Sequence, residues 1–291
     1  MFKSNNFQSV ETINVSKELA VLAPQMTPLT TLLMSKGNFE KATSTLFQWL
    51  EKKLSADTDY DLLEGADITK FQQSRRRTLN NVQQIFARAV AISGTADAMK
   101  NGRFTEEIQD RLLELKLEIE RVLINGVFDD GSTGNPRKMK GLIEWVEASN
   151  EFVFTNNPLK LIKDGMEKLF TSGVNGGDYY LLASPAYKEM IDDALAGVTT
   201  YTQKETTFGS LVSVYVTNFG NVNIMISRDV PKQSAILFND AYLSLAPLRE
   251  AQVEALAKTG DSNKAMVIAE TTLRVGSPEA VVLLTDEAIK K

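Results

Sequence analysis

Any chemistry this chain performs has to be done without histidine or cysteine, because its 291 residues contain neither. Their absence removes disulfides, thiolate nucleophiles, histidine-ligated zinc, iron and copper, and every mechanism in which imidazole activates a serine or cysteine. Carboxylates, lysine, tyrosine or an oxygen-ligated metal are what is left. The densest set of such groups is Asp57, Asp59, Asp61, Glu64 and Asp67, followed by Arg75, Arg76 and Arg77. Clustered carboxylates can hold a divalent cation or share a proton, so one expectation is a carboxylate-dependent hydrolase built on Asp57 to Asp67. The spacing argues against a calcium loop, since its glycine and closing glutamate do not fall where that loop needs them. A charge run of this kind is more often a hydrated or partner-facing surface. The change of sign along it suggests a projecting element that docks head-to-tail on copies of itself, the contact type that generates rings.

Other motifs carry less. Ser184 sits between an apolar run and Pro185, but Gly-x-Ser-x-Gly is missing and no histidine exists to serve it, so helix capping is a sufficient role. The glycines of Asp129 to Pro136 lack the Gly-Lys-Ser/Thr ending of a phosphate loop and read as a connector. Asn14-Val15-Ser16 fits the glycosylation pattern only by chance, because the N-terminus has no apolar signal region. No cofactor is expected.

Composition sets the frame. At 43% hydrophobic and 24% charged residues the chain reads as an ordinary globular protein, long enough for two domains or one elongated one. No run of about 18 uncharged apolar residues occurs, so neither secretion nor membrane insertion is expected, and the protein belongs in the cytoplasm where it is made. A net charge of −5 argues against a large nucleic-acid-binding surface, although a container that merely encloses nucleic acid is compatible with it.

The element that positions the rest is Phe104 to Asn125. Phe104, Ile108, Leu112, Leu115, Ile119 and Val122 recur at helical spacing, and Leu113, Leu117 and Ile124 form a second, narrower line. Glu106 and Glu107 suit its first turn, and Asn125-Gly126 reads as a left-handed stop. At about 1.5 Å per residue this helix is roughly 33 Å long, a spine touched on two sides.

Before it, residues 1 to 36, with Pro24 and Pro28, read as an arm that needs another surface to order it; a helical turn is expected near Lys17 to Leu22. Alternation over Thr43 to Leu50 and over Val82 to Ile92 predicts two strands paired as a long hairpin, with the charged stretch as its loop. Residues 142 to 235 look like a separate α/β unit. Helices are expected from Asn157-Pro158 to before Gly173 and from Ser184-Pro185 to Gly197. Strands are expected at Tyr179 to Ala183, Leu211 to Val216 and Val222 to Ile226, with a polar loop from Thr199 to Thr207. Ala235 to Phe238, Tyr242 to Ala246 and Val253 to Lys258 follow as strands, and alternation from Ala265 to Val275 closes a second long hairpin. The fold class is α+β.

The stretch LAKTGDSNKAMVIAETTLRV, followed by PEAVVLLTD, resembles the tail of major capsid proteins of tailed bacteriophages with the Hong Kong 97-type fold. QIFARAVAISGTADAM, the glutamate-rich spine and Gly141-Leu142-Ile143 resemble the same family in the same order, covering most of the chain. The resemblance implies an N-terminal arm at 1–36, an extended loop at 37–92, a peripheral domain at 93–141 and 236–291, and an axial domain at 142–235. It also implies a structural, non-catalytic protein that assembles with itself into pentamers and hexamers of an icosahedral shell. Such a shell encloses packaged double-stranded DNA without sequence-specific binding, and is built in the host bacterial cytoplasm as a virion capsid. A portal, a scaffolding protein and a decoration protein are the implied partners. The extended loop is reached within about forty residues of Met1, so the scaffold is expected to be a separate protein. An encapsulin, the same fold around an enzyme cargo, is the alternative that sequence physics leaves open. The candidate contacts between subunits are Trp49, Asp57, Asp59, Asp61, Glu64, Arg75, Arg76 and Arg77 on the first hairpin, and Lys258, Asp261 and Lys264 near the turn of the last.

Overall fold

The computed structural model describes residues 26–53, 74–98, 104–153, 157–195, 202–205, 211–258 and 260–285, with Asp61, Glu64, Gly65, Asp67, Ile68 and Phe71 of the intervening loop. The turn expected near Lys17 to Leu22 lies outside these residues.

Helix α1, Pro28–Lys36, starts on a proline, which costs nothing at a first helical position, and stops at Gly37 with φ 69°. The N-terminal stretch therefore contains a helix that its prolines hid from a periodicity reading. Strands β1, Leu46–Lys53, and β2, Arg75–Val82, pair antiparallel from Leu46 opposite Val82 to Lys53 opposite Arg75. Strand β3, Gln84–Ser93, follows after one residue. The expected pairing of Val82–Ile92 with the first extended run is not found. In its place the run pairs with Arg75–Val82, which resembled loop because only Leu79, Asn81 and Val82 in it are buried.

After the short helix α2, Gly94–Ala98, the spine helix α3 spans Phe104–Asn125, the bounds its periodicity predicts. Its end works differently from the expectation. Neither Asn125 nor Gly126 has a positive φ. Glycine is needed at 126 because a Cβ there would stand 2.5 Å from the Met139 carbonyl oxygen and 2.6 Å from that of Val122. The helix stops where a returning segment, tied by the Gly141 N–H to the Gly126 carbonyl, presses on it.

The short helix α4, Leu142–Trp145, leads through strand β4, Glu151–Val153, to helix α5, Pro158–Thr171, whose cap Asn157 accepts from the Lys160 N–H as its type suggests. Strand β5, Tyr179–Ala183, helix α6, Pro185–Leu195, and strands β6, Thr202–Glu205, β7, Leu211–Thr217, β8, Gly220–Ile226, and β9, Ser234–Asn239, follow. Strand β6 occupies what the sequence reads as a polar loop. The two strands expected between Tyr242 and Lys258 are one, β10, Leu243–Leu256, with register shifts between Pro247 and Gln252. Strand β11, Ser262–Val275, and strand β12, Val281–Thr285, complete the chain.

Three sheets result: β1-β2, β10-β11-β3 and a seven-stranded sheet in the order β4-β12-β9-β5-β8-β7-β6. In the last, β5, β9 and β12 run apolar without alternation, as strands covered on both faces must. Tyr180, Leu182, Ile236, Phe238 and Leu283 face one core, and Leu181, Leu237, Val282 and Leu284 face a second that includes Ile162, Met166 and Tyr187. The first core also holds Leu112, Leu115, Ile119 and Leu123 of the spine. The α/β unit is therefore not a separate body: it shares its core with the spine, and β12 joins its sheet from the far end of the chain.

Candidate assembly surface

The hairpin β1-β2 is a ribbon of two strands, which is marginal unless one face is anchored. Its inner face is. Trp49, 8% exposed, donates its Nε1–H to the Val275 carbonyl at 2.9 Å and lies against Trp145 and Phe47 with ring centroids 5.6 and 5.7 Å away. The Arg274 guanidinium sits 6.0 Å from the Trp49 ring centroid. Glu51, buried beside it, accepts from the Ser277 hydroxyl, and Arg77 bridges Glu147 at 3.1 Å and Glu51 at 3.7 Å. Lys53 pairs with Glu279. Among the expected contact residues, then, Trp49 and Arg77 make these bonds within their own chain.

The outer face and the neck of the ribbon carry charge. Strand register sets Lys52 opposite Arg76 and Lys53 opposite Arg75, and Lys52, Arg75 and Arg76 are exposed. Like charges directly opposed across a ribbon are destabilising, which makes this neck a surface suited to an incoming anion. Leu50, 62% exposed, stands on the same outer face. Beyond the strands, Asp61, Glu64 and Asp67 are exposed, as are the apolar Ile68 and Phe71. Asp57 and Asp59 lie outside the described residues. Arginines 75–77 belong to a strand, where the sequence had placed them in a loop.

At the other long hairpin, Lys258 and Asp261 are exposed and Lys264 is half-buried on β11. The Asp261 carbonyl accepts from the Gly94 N–H at 3.0 Å, which ties this turn to the end of β3. No group of three or more acidic residues able to hold a metal ion occurs among the described residues. The cleft of about 610 Å³ between the hairpin and the body has Glu51 and Glu279 in its wall, each already bound to a partner.

The seat of α1 is a feature that periodicity missed. Spine residues Lys116 and Glu120 are fully buried within the apolar stripe. The Glu120 carboxylate accepts from the N–H groups of Leu29 at 2.9 Å and Thr30 at 2.7 Å, and from the Thr30 hydroxyl. It thus does for α1 what the cap residue Thr27 does not, since Thr27 makes no capping bond. Lys116 donates to the Thr31 hydroxyl at 3.3 Å. Burial pushes Glu120 up to about 7, against the pull of the bonds from Thr30 and Leu29. Burial draws Lys116 down to about 8, partly offset by Glu120. A signal was present in the sequence: at helical spacing 116 and 120 fall between the two apolar lines of the spine, flanked by Leu112 and Ile124, a side that packing on both lines would cover. At the other end of α1, Lys36 bridges Asp178 at 2.7 Å and Asp240 at 3.2 Å, and its hydrogen bond to Asp178 above all holds it well over the usual lysine range.

A family model described as the SU10 major capsid protein matches residues 3–288. No curated protein matches the chain. Among solved structures the chain is similar to one from Mycobacterium phage Adephagia, with 12% identity, a TM-score of 0.61 and 100% of each chain covered. It is also similar to the holo-SrpI encapsulin complex from Synechococcus elongatus PCC 7942, with 12% identity, a TM-score of 0.64, and 100% of this chain and 99% of that one covered. The capsid of a native GTA particle matches at 9% identity with a TM-score of 0.59, over 93% of this chain and 91% of that one. At such identities the likeness is one of fold.

Proposed function

Because the chain belongs to the SU10 major capsid protein family and has the Hong Kong 97-like fold of tailed-phage capsid proteins, we propose that it closes into an icosahedral shell of pentamers and hexamers around a double-stranded DNA genome. Its role in this reading is structural and not catalytic. The observation that carries it is the family match over nearly the whole chain, combined with a hairpin that is anchored through Trp49 and Glu51 and carries exposed cations Lys52, Arg75 and Arg76 at its far end. The unit around residues 142–235, closed by β9 and β12, is the axial domain. The spine with β3, β10 and β11 forms the peripheral domain, and residues 1–36 are the arm. Arg75 and Arg76 receive carboxylates of a neighbouring copy, for which Asp61 and Glu64 have the matching sign. A net charge of −5 suits a wall that must hold DNA without gripping it. Portal, scaffold and decoration proteins are the expected partners, the host cytoplasm the place of assembly and the virion the destination.

Electron microscopy of the purified full chain tests the proposal. Rings of five or six, tubes or closed particles are the expected result; a population sedimenting only as the 32.2 kDa monomer at all concentrations and salts refutes it. A second reading, a shell around a protein cargo, is favoured by the full-length similarity to the encapsulin complex. Particles from producing cells separate the two: nuclease-protected DNA supports the genome container, and a co-purifying stoichiometric protein with no DNA supports the other.

A further inference from the structure

Helix α1 spans nine residues, shorter than the roughly 12–15 at which isolated helices become even marginally stable in water. Its first N–H groups have no local cap and are served by Glu120, some ninety positions along the chain. Its hydroxyls Thr30 and Thr31 are in turn the partners of Glu120 and Lys116. Removing the helix would leave both spine charges in an apolar stripe without those bonds, and removing the spine would leave the helix uncapped. Each side completes the other.

We propose that Pro28–Lys36 and the Lys116–Glu120 pair form a two-state clasp, in which this helix and its docking on the spine are made and lost together, separately from the rest of the subunit. Closed, the clasp holds Pro28–Lys36 against the spine. Open, Leu29 and Leu33 leave the core and Glu120 is hydrated, so the element has two discrete arrangements and no graded intermediate. The inference stands on the subunit alone and does not require shell assembly.

Hydrogen exchange followed by mass spectrometry on the full chain tests it. In Glu120→Ala the peptide covering residues 28–36 is expected to exchange at least tenfold faster and as one bimodal population, while peptides of β10 and β11 keep their protection. Glu120→Gln keeps one acceptor oxygen where the carboxylate uses two, Oε1 for the Leu29 N–H and Oε2 for the Thr30 N–H, so its protection of 28–36 is expected to fall between those of the wild type and Glu120→Ala. Unchanged protection of 28–36 in Glu120→Ala overturns the proposal, as does a gradient of exchange along the helix. Should Glu120→Ala not fold, the wild-type chain in mild urea decides: 28–36 opening as a unit below the global midpoint supports the clasp, and opening only with the global transition sinks it.

Discussion

Glu120 and Lys116 pull the subunit's pH dependence in opposite directions. Glu120 is raised from 4.5 to about 7, so the folded chain holds its proton more tightly than the unfolded one. That contribution is complete below about 4.5 and is lost as pH rises through 7. Lys116 is lowered from 10.5 to about 8, so its contribution is present above 10.5 and lost as pH falls through 8. Between 7 and 8 both groups are charged in an apolar stripe, and there the pair costs most. The wild-type melting temperature is therefore expected to fall between pH 5 and pH 7, and Glu120→Gln should flatten that fall. An equally steep fall in the variant would assign that pH dependence to other groups. This is also where sequence reading stopped short: an apolar period locates a buried face, but it counts Lys116 and Glu120 as interruptions. Only the path of α1 shows why they are tolerated.

At the scale of elements, the hairpin depends on its anchors. Trp49→Ala removes the bond to Val275 and the packing on Trp145, and should cost roughly 3 kcal/mol or more by thermal or urea unfolding. A loss under about 1 kcal/mol would mean that the ribbon does not depend on this ring. The opposed cations at the neck make a different prediction. Arg75→Ala with Arg76→Ala relieves repulsion across the ribbon, so the subunit should keep or slightly gain thermal stability while particle yield falls and loses its salt sensitivity. Undiminished assembly would rule out a contact there. The spine was legible from its single clear period, the two helices of the α/β unit from their capping residues Asn157 and Ser184, and β5 and β9 from short apolar runs bounded by polar residues. The hairpin partner was not. Strand β2 has so few buried side chains that it reads as loop, whereas β3, with Phe86 and Val90 inward, offers the better alternation and pairs with β11.

For the whole molecule, the boundary that the element pattern and the resemblance both placed at residue 235 does not divide the core. Tyr180 and Phe238 of the seven-stranded sheet lie in the same cluster as Leu115 and Leu123 of the spine, so the α/β unit and the spine share one packed core. Long-range topology of this kind has no local signature, which is why the place of β12 beside β9 was not legible in the sequence. The placement of β12 then bears on manufacture. This strand lies between β4 and β9, so a nascent chain that has not reached Thr285 leaves Ser234–Asn239, buried at every position, as a naked apolar edge. Val281–Thr285 must be made before the sheet can close, and a stop codon placed before Val281 should yield insoluble product, as fractionation of the expressed protein would show.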